Sequence, residues 1–254
     1  MRAFVTLSVA VLVGLSACGN SGPLQPPTLT VAAAANLTGA IEELAASFER
    51  ESGVKSTLSL GSTAQLAQQF TNGAPFDLLL AADNEHIEKL AGRGLIAAGT
   101  NAVYAFGRVA LWIPDETRAV KSIEDLTRPE VKFIAVAQPE LAPYGLAAIE
   151  AMRHAGIWER VRAKIVYANN ISMARQMAAS GNADAAFTAL PLVLNGPGRI
   201  LAVDPSFHAP IEQTLGIATA SAARREPRAF RNFILGPLGR AILARRGYEL
   251  PASR

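Results

Sequence analysis

Four short stretches of the chain carry residue types from which a binding site could be assembled: Ala35-Asn36, Gly61-Ser62-Thr63, Ala142-Pro143-Tyr144-Gly145 and Asn169-Asn170-Ile171-Ser172. Each falls where an apolar run gives way to a helical pattern, so each offers the unpaired backbone N–H groups of a helix start. None contains Asp, Glu, Lys, Arg or His. A set of N–H and hydroxyl donors suits a small anion, because each hydrogen bond to a charged acceptor contributes about 1.5–3 kcal/mol. Helix termini add a few tenths to about 1 kcal/mol each. Phosphate near neutral pH keeps a proton and wants an acceptor in its site. Molybdate, tungstate and sulfate are doubly ionised tetrahedra that only accept, and a site without carboxylates favours these. Asn and Ser are also ordinary helix N-caps, worth about 1 kcal/mol to their own helices, and capping alone explains any one of these turns. The four together, with Ala and Gly neighbours that let a ligand reach the backbone, favour a shared site.

The elements that must position these turns follow from periodicity. Leu29 to Ala35 is a near-continuous apolar run, followed from Asn36 by apolar residues at Leu37, Ala40, Ile41, Leu44, Ala45 and Phe48, which predicts a buried strand and an amphipathic helix. The unit recurs as a strand Val54 to Leu60 with a helix through Leu66, Ala67 and Phe70, and as a strand Phe76 to Ala82 with a helix from Asn84. A second series predicts strands at Val109–Ile113, Phe133–Ala137, Ile165–Tyr167 and Ala185–Thr188, with helices at Tyr144–Ala155, Ser172–Ala179 and Leu190–Leu194. Leu215 to Ala220 reads as a further strand, and Phe230–Leu235 and Leu238–Arg246 as terminal helices. Strand–helix alternation implies α/β architecture with parallel, doubly wound sheets. Two lobes fit better than one sheet of about ten strands. Residues 28–108 and 209–254 are assigned to lobe one and 109–208 to lobe two.

The composition removes several classes of function. The 254 residues are 50% hydrophobic and 18% charged, which excludes disorder as the main state. The net charge of +3 comes from scattered Lys and Arg, which argues against a nucleic-acid surface. A single cysteine, Cys18, excludes a disulfide framework and a Cys-based metal site. It follows Arg2, an apolar stretch Ala3–Leu15 and the sequence Leu15-Ser16-Ala17-Cys18, which resembles a bacterial lipobox. Residues 1–17 are then a signal segment, Cys18 carries lipid, and 18–27 form a tether; the alternative is a plain signal peptide that leaves a free thiol. His86, His154 and His208 lack acidic companions at metal spacing. Ser62 is not an elbow nucleophile, since Ala64 stands where that motif needs glycine. Asp77 and Asp83 read as braces or caps, and the glycosylation tripeptides at Asn36 and Asn170 as coincidence. No catalytic group, cofactor or cation site emerges.

In order and spacing, V-A-A-A-A-N-L at Val31–Leu37, G-S-T-A-Q-L at Gly61–Leu66, G-A-P-F-D-L at Gly73–Leu78, A-A-D at Ala81–Asp83, A-P-Y-G at Ala142–Gly145 and the stretch Asn169–Arg175 resemble the periplasmic molybdate-binding proteins of ABC importers. The resemblance implies a type II periplasmic-binding-protein fold, with two Rossmann-like lobes on a hinge closing over one molybdate or tungstate ion. It implies a periplasmic protein, taken as a monomer, that serves an inner-membrane permease; anchoring to the membrane through Cys18 rests on Leu15-Ser16-Ala17-Cys18 alone, since a lipobox is less usual in the family than a plain signal peptide. It places the ligands on Asn36 with the Ala35 N–H, on Ser62, and on the Tyr144 and Ile171 N–H groups. Two departures stand out. Asn36 occupies a position where other members have serine, and the stretch Ala186-Phe187-Thr188-Ala189 lacks the tyrosine some members use, leaving Thr188 as the hydroxyl there. A carrier of sulfate or another oxyanion is the competing reading, and an exported hydrolase or transferase a more distant one.

Overall fold

The computed structural model describes residues 28–252, so the expectations for the signal segment, Cys18 and the tether lie outside the described residues. Ten strands form two five-stranded sheets. The first has the order β2-β1-β3-β10-β4, built from β1 (Thr28–Ala34), β2 (Lys55–Gly61), β3 (Leu78–Ala81), β4 (Ala102–Gly107) and β10 (Ile211–Ile217). The second has the order β7-β6-β8-β5-β9, from β5 (Val109–Ile113), β6 (Ile134–Ala137), β7 (Ile165–Ala168), β8 (Ala185–Ala189) and β9 (Arg199–Ala202). The chain passes from one sheet to the other through Arg108, between β4 and β5, and returns between β9 and β10.

The two-lobed α/β reading holds, but the sheets are mixed rather than parallel. β1 runs parallel to β2 and β3, and β6 to β7 and β8. β10 is antiparallel to β3 and β4, and β5 to β8 and β9. The antiparallel strands β5 and β10 are the ones that enter a sheet from the other lobe, without the crossover helix that makes neighbours parallel. β4 and β9 were not expected. β4 is separated from β5 only by Arg108, with no Gly/Pro cluster to mark the break.

Eight helices cover the sheets among the described residues: α1 (Ala40–Ser52), α2 (Thr63–Thr71), α3 (Glu85–Gly92), α4 (Pro143–His154), α5 (Trp158–Val161), α6 (Ile171–Ala179), α7 (Arg225–Leu235) and α8 (Pro237–Arg245). In lobe one, Val31, Leu78, Leu80 and Leu215 pack with Ile41, Leu44, Phe48, Phe230 and Leu243 from α1, α7 and α8. On the opposite face Ala32, Leu79 and Ala81 meet Leu66, Phe70, Ile87 and Leu90 of α2 and α3. Strand neighbours thus alternate between two buried faces, which explains their unbroken hydrophobicity. In lobe two, Val136 and Phe187 pack under α4, while Ala135 and Ala186 face Ala174 and Ala178 of α6. Ala34, Ala35 and Ala82 of lobe one join the lobe-two core, so packing is continuous across the cleft.

Candidate oxyanion site

The four turns meet in one cavity between the lobes. Its wall includes Ala35, Asn36, Ser62, Tyr144 and Ile171, with Ala34, Gly61, Thr63, Ala82, Ala142, Pro143 and Asn170 beside them. The cavity holds about 200 Å³ of empty space, counted out to its mouth. No lining residue carries a charge. Ser62 is 2% exposed, Asn36 and Tyr144 1%, and Ile171 3%, so the groups these turns offer lie below the surface.

Each turn is made differently. After β1 the chain does not enter the expected helix at Asn36 but makes a 3-10 turn over Ala35–Leu37, closed by Thr38 Oγ1 donating to the Ala35 carbonyl at 2.8 Å. Gly39, with φ of 81°, then redirects the backbone so that α1 begins at Ala40. Asn36 is therefore not a cap. Ser62 is the N-cap of α2, its Oγ accepting from the Gln65 N–H at 3.4 Å, which leaves its O–H free to donate into the cavity. The first turn of α4 has no capping side chain and carries Pro143, so the Tyr144 N–H sits bare at a helix start. Gly145 is required there, since a Cβ would lie 2.0 Å from the Ala137 carbonyl oxygen. At α6 Asn170 caps through Oδ1, accepting from the Met173 N–H at 2.9 Å, and so places the Ile171 N–H at the cavity.

Behind the cavity lies a buried network that sequence reasoning missed. Asn36 Nδ2 donates to Gln213 Oε1 at 2.7 Å and to the Tyr248 hydroxyl at 3.1 Å, with the Tyr144 hydroxyl 3.5 Å away. The Tyr248 hydroxyl in turn donates to the Asn36 carbonyl at 2.7 Å. The side-chain N–H donors of Asn36 are thus taken within the protein, and its free contribution to the cavity is its backbone. Burial pushes the Tyr104, Tyr144 and Tyr248 hydroxyls well above the usual tyrosine range, so they stay neutral. Gln213 was legible in principle, as the amide among the hydrophobic residues of β10, but Tyr248 stands in a C-terminal segment with no pattern to flag it. Thr188 is fully buried with no partner for its hydroxyl and is not part of the cavity wall.

Two further contacts join the lobes at the rim. The Ala64 N–H donates to the Leu141 carbonyl at 3.2 Å, and Ser172 Oγ donates to the Ala35 carbonyl at 2.9 Å. Away from the cavity, Asp83 accepts from the His86 N–H at 2.9 Å at the start of α3. Asp77 accepts from the Thr30 N–H at 2.8 Å, and from Ser221 Oγ and Arg224 Nη1 at 2.6 Å each. Among the described residues no group of three or more His, Cys, Asp or Glu side chains could hold a metal ion, and no helix is long and apolar enough to cross a membrane.

In comparison with known proteins, residues 29–249 fit the family model of bacterial extracellular solute-binding proteins. The chain belongs to this family. Among relatives of this solute-binding protein, the molybdate-binding protein ModA of Azotobacter vinelandii is 32% identical over 249 residues, covering 96% of this chain and 97% of its own. ModA of Rhodobacter capsulatus is 31% identical, with 98% and 96% covered. The solved structure of the Azotobacter vinelandii periplasmic molybdate-binding protein superposes with a TM-score of 0.85 over 88% of this chain and all of that one. The sulfate-binding protein SubI of Mycobacterium tuberculosis shares the fold, with a TM-score of 0.74 at 17% identity.

Proposed function

We propose that this solute-binding protein captures molybdate, and tungstate with it, between its lobes and delivers the ion to the permease of an ABC importer. The observation that carries this reading is the cavity itself: four turns from opposite lobes, without one charged or carboxylate group, closing on a space of small-ion size. In this reading the anion receives the backbone N–H groups of Ala35 or Asn36, Tyr144 and Ile171, and the Ser62 hydroxyl. The names of the ModA relatives support the choice of ion. The lobes are residues 28–108 with 209–254, and 109–208, turning about the two crossings. The protein acts as a monomer with no cofactor and no catalytic step, working outside the cytoplasm. Anchoring through a lipid on Cys18 rests on Leu15-Ser16-Ala17-Cys18 and on a 26% identical Bacillus subtilis relative named as a putative ABC transporter substrate-binding lipoprotein. Labelled palmitate should enter the wild type and be lost in Cys18→Ala.

Sulfate is the competing ligand, since the same donors serve any fully ionised tetrahedral oxyanion. Titration calorimetry with molybdate, tungstate and sulfate separates the two. The expected result is tight, nearly equal binding of the first two and weak binding of the third, because the cavity is set by backbone N–H groups that a smaller ion cannot all reach. Preferential binding of sulfate, or no binding of molybdate, would overturn the assignment.

A further inference from the structure

Tyr144 belongs to the cavity through its backbone, but its side chain goes elsewhere. From the first turn of α4 in lobe two the ring enters lobe one, where its hydroxyl lies 3.5 Å from Asn36 Nδ2. The socket is completed by Gly107, the last residue of β4. A Cβ built on Gly107 would lie 2.2 Å from the Tyr144 hydroxyl, 2.8 Å from its Cζ and 3.1 Å from Gln213 Nε2. Gly107 has no positive φ, so a left-handed backbone does not demand a glycine there; the close approach of the tyrosine does. The socket also adjoins both crossings between lobes. Gly107 immediately precedes Arg108, and Gln213 lies near the start of β10, just after the return crossing.

We infer that Tyr144 is the positioning residue of the closed cavity, a strut between the anion-facing start of α4 and a lobe-one socket beside the hinge. The inference rests on the oxyanion-binding reading of that cavity. The same residue then presents an N–H to the anion and fixes, through the length of its ring, how closely the two sets of donors approach. Closure to the depth that suits one size of tetrahedral anion requires the hydroxyl to seat. Asn36 acts in the same device from the other side. Its amide meets the Tyr144 hydroxyl while Gln213 and Tyr248 hold that amide in place.

The test is a cycle of variants built at Gly107 and Tyr144. Tyr144→Phe keeps the backbone N–H and the ring but loses the hydroxyl's 3.5 Å contact with Asn36 Nδ2; since that amide already donates to Gln213 and Tyr248, the contact is weak and the molybdate dissociation rate should rise about twofold to threefold. Gly107→Ala puts a methyl where the hydroxyl seats and should weaken molybdate binding further, by about tenfold or more. It should also narrow the ratio of sulfate to molybdate dissociation constants, because the depth of closure has changed. In a Tyr144→Ala background, where nothing occupies the socket, Gly107→Ala should have little additional effect. The melting temperature of anion-free Gly107→Ala should fall only slightly, since the clash with the Tyr144 hydroxyl belongs to closure and only the 3.1 Å approach to Gln213 Nε2 lies within lobe one. Additive effects of the two substitutions, an unchanged ratio of dissociation constants, or an equal loss of stability in anion-free protein would overturn the proposal. If the wild type binds sulfate in place of molybdate, the reading of the ligand fails. The strut is then judged by the same cycle read with sulfate.

Discussion

The two ends of the lobe-one sheet treat polar groups in opposite ways. At the end where β1 and β2 reach Ala34 and Gly61, the cavity wall offers helix-start N–H groups and the Ser62 hydroxyl and contains no carboxylate. At the other end, beside Thr28 and Thr30, the Asp77 carboxylate is enclosed by the Thr30 N–H, Ser221 Oγ and Arg224. A larger space of about 1270 Å³ opens beside Asp77, against about 200 Å³ at the first end. Size alone would choose the wrong end. A buried carboxylate whose acceptor capacity is met inside the protein is a brace, while bare helix-start N–H groups facing a closed space have partners still to gain. The chemistry of what remains unpaired, more than the volume of the hollow, is the ground on which the anion is proposed to bind at the first end.

Moving a carboxylate from one end to the other should expose the contrast most strongly. Ser62→Asp puts a negative charge within about 4 Å of a bound dianion, a repulsion of about 8 kcal/mol in a partly screened cleft, enough to abolish measurable binding. Asp is a good N-cap, so α2 and the anion-free melting temperature should hold or improve. Ser62→Ala serves as the milder control, losing one charge-assisted hydrogen bond and about 1.5–3 kcal/mol of molybdate binding. Calorimetry and thermal melts of both variants check this; an Asp variant that still binds would place the anion elsewhere. Next in size is Asp77→Ala, which should cost about 2–3 kcal/mol of stability by stranding the Thr30 N–H and Ser221 hydroxyl. Arg224 is 42% exposed, so its share of that loss is discounted for solvent screening. Molybdate affinity should not change, and denaturant melts paired with calorimetry would show it. A fall in affinity as large as the fall in stability would mean that the two ends are coupled.

How much of this was legible depended on whether the information was local. The alternation of Val31, Ala33 and Leu78, Leu80 with helical segments is written in adjacent residues, so the two-lobed α/β plan could be read directly. The direction of β5 and β10 could not, because an antiparallel entry arises from the crossing between lobes and leaves no mark in the periodicity of either strand. The four turns were visible as short polar residues at strand ends, yet the atoms they offer were not. Asn36 looks like a helix cap in sequence. Its amide is instead spent on Gln213 and Tyr248, residues 177 and 212 positions away. The same distance hid the socket at Gly107, which is an unremarkable glycine until Tyr144 is brought beside it.

The smallest expected effect concerns pH. No Asp, Glu, His, Lys or Arg lines the cavity, so nothing in its wall changes charge between about pH 6 and 9. The buried hydroxyls of Tyr144 and Tyr248 behind it are both held neutral because burial raises them above the ordinary value. A tyrosine whose folded pKa exceeds its unfolded value retains its proton more firmly in the folded state. That contribution to stability is complete below the unfolded value near 10 and declines only as the pH climbs beyond it. Molybdate affinity measured by calorimetry across pH 6–9 should therefore stay flat within about twofold, with stability falling only in more alkaline solution. A steep change in affinity near neutrality would require an ionisable group at the anion itself, and the cavity wall contains none.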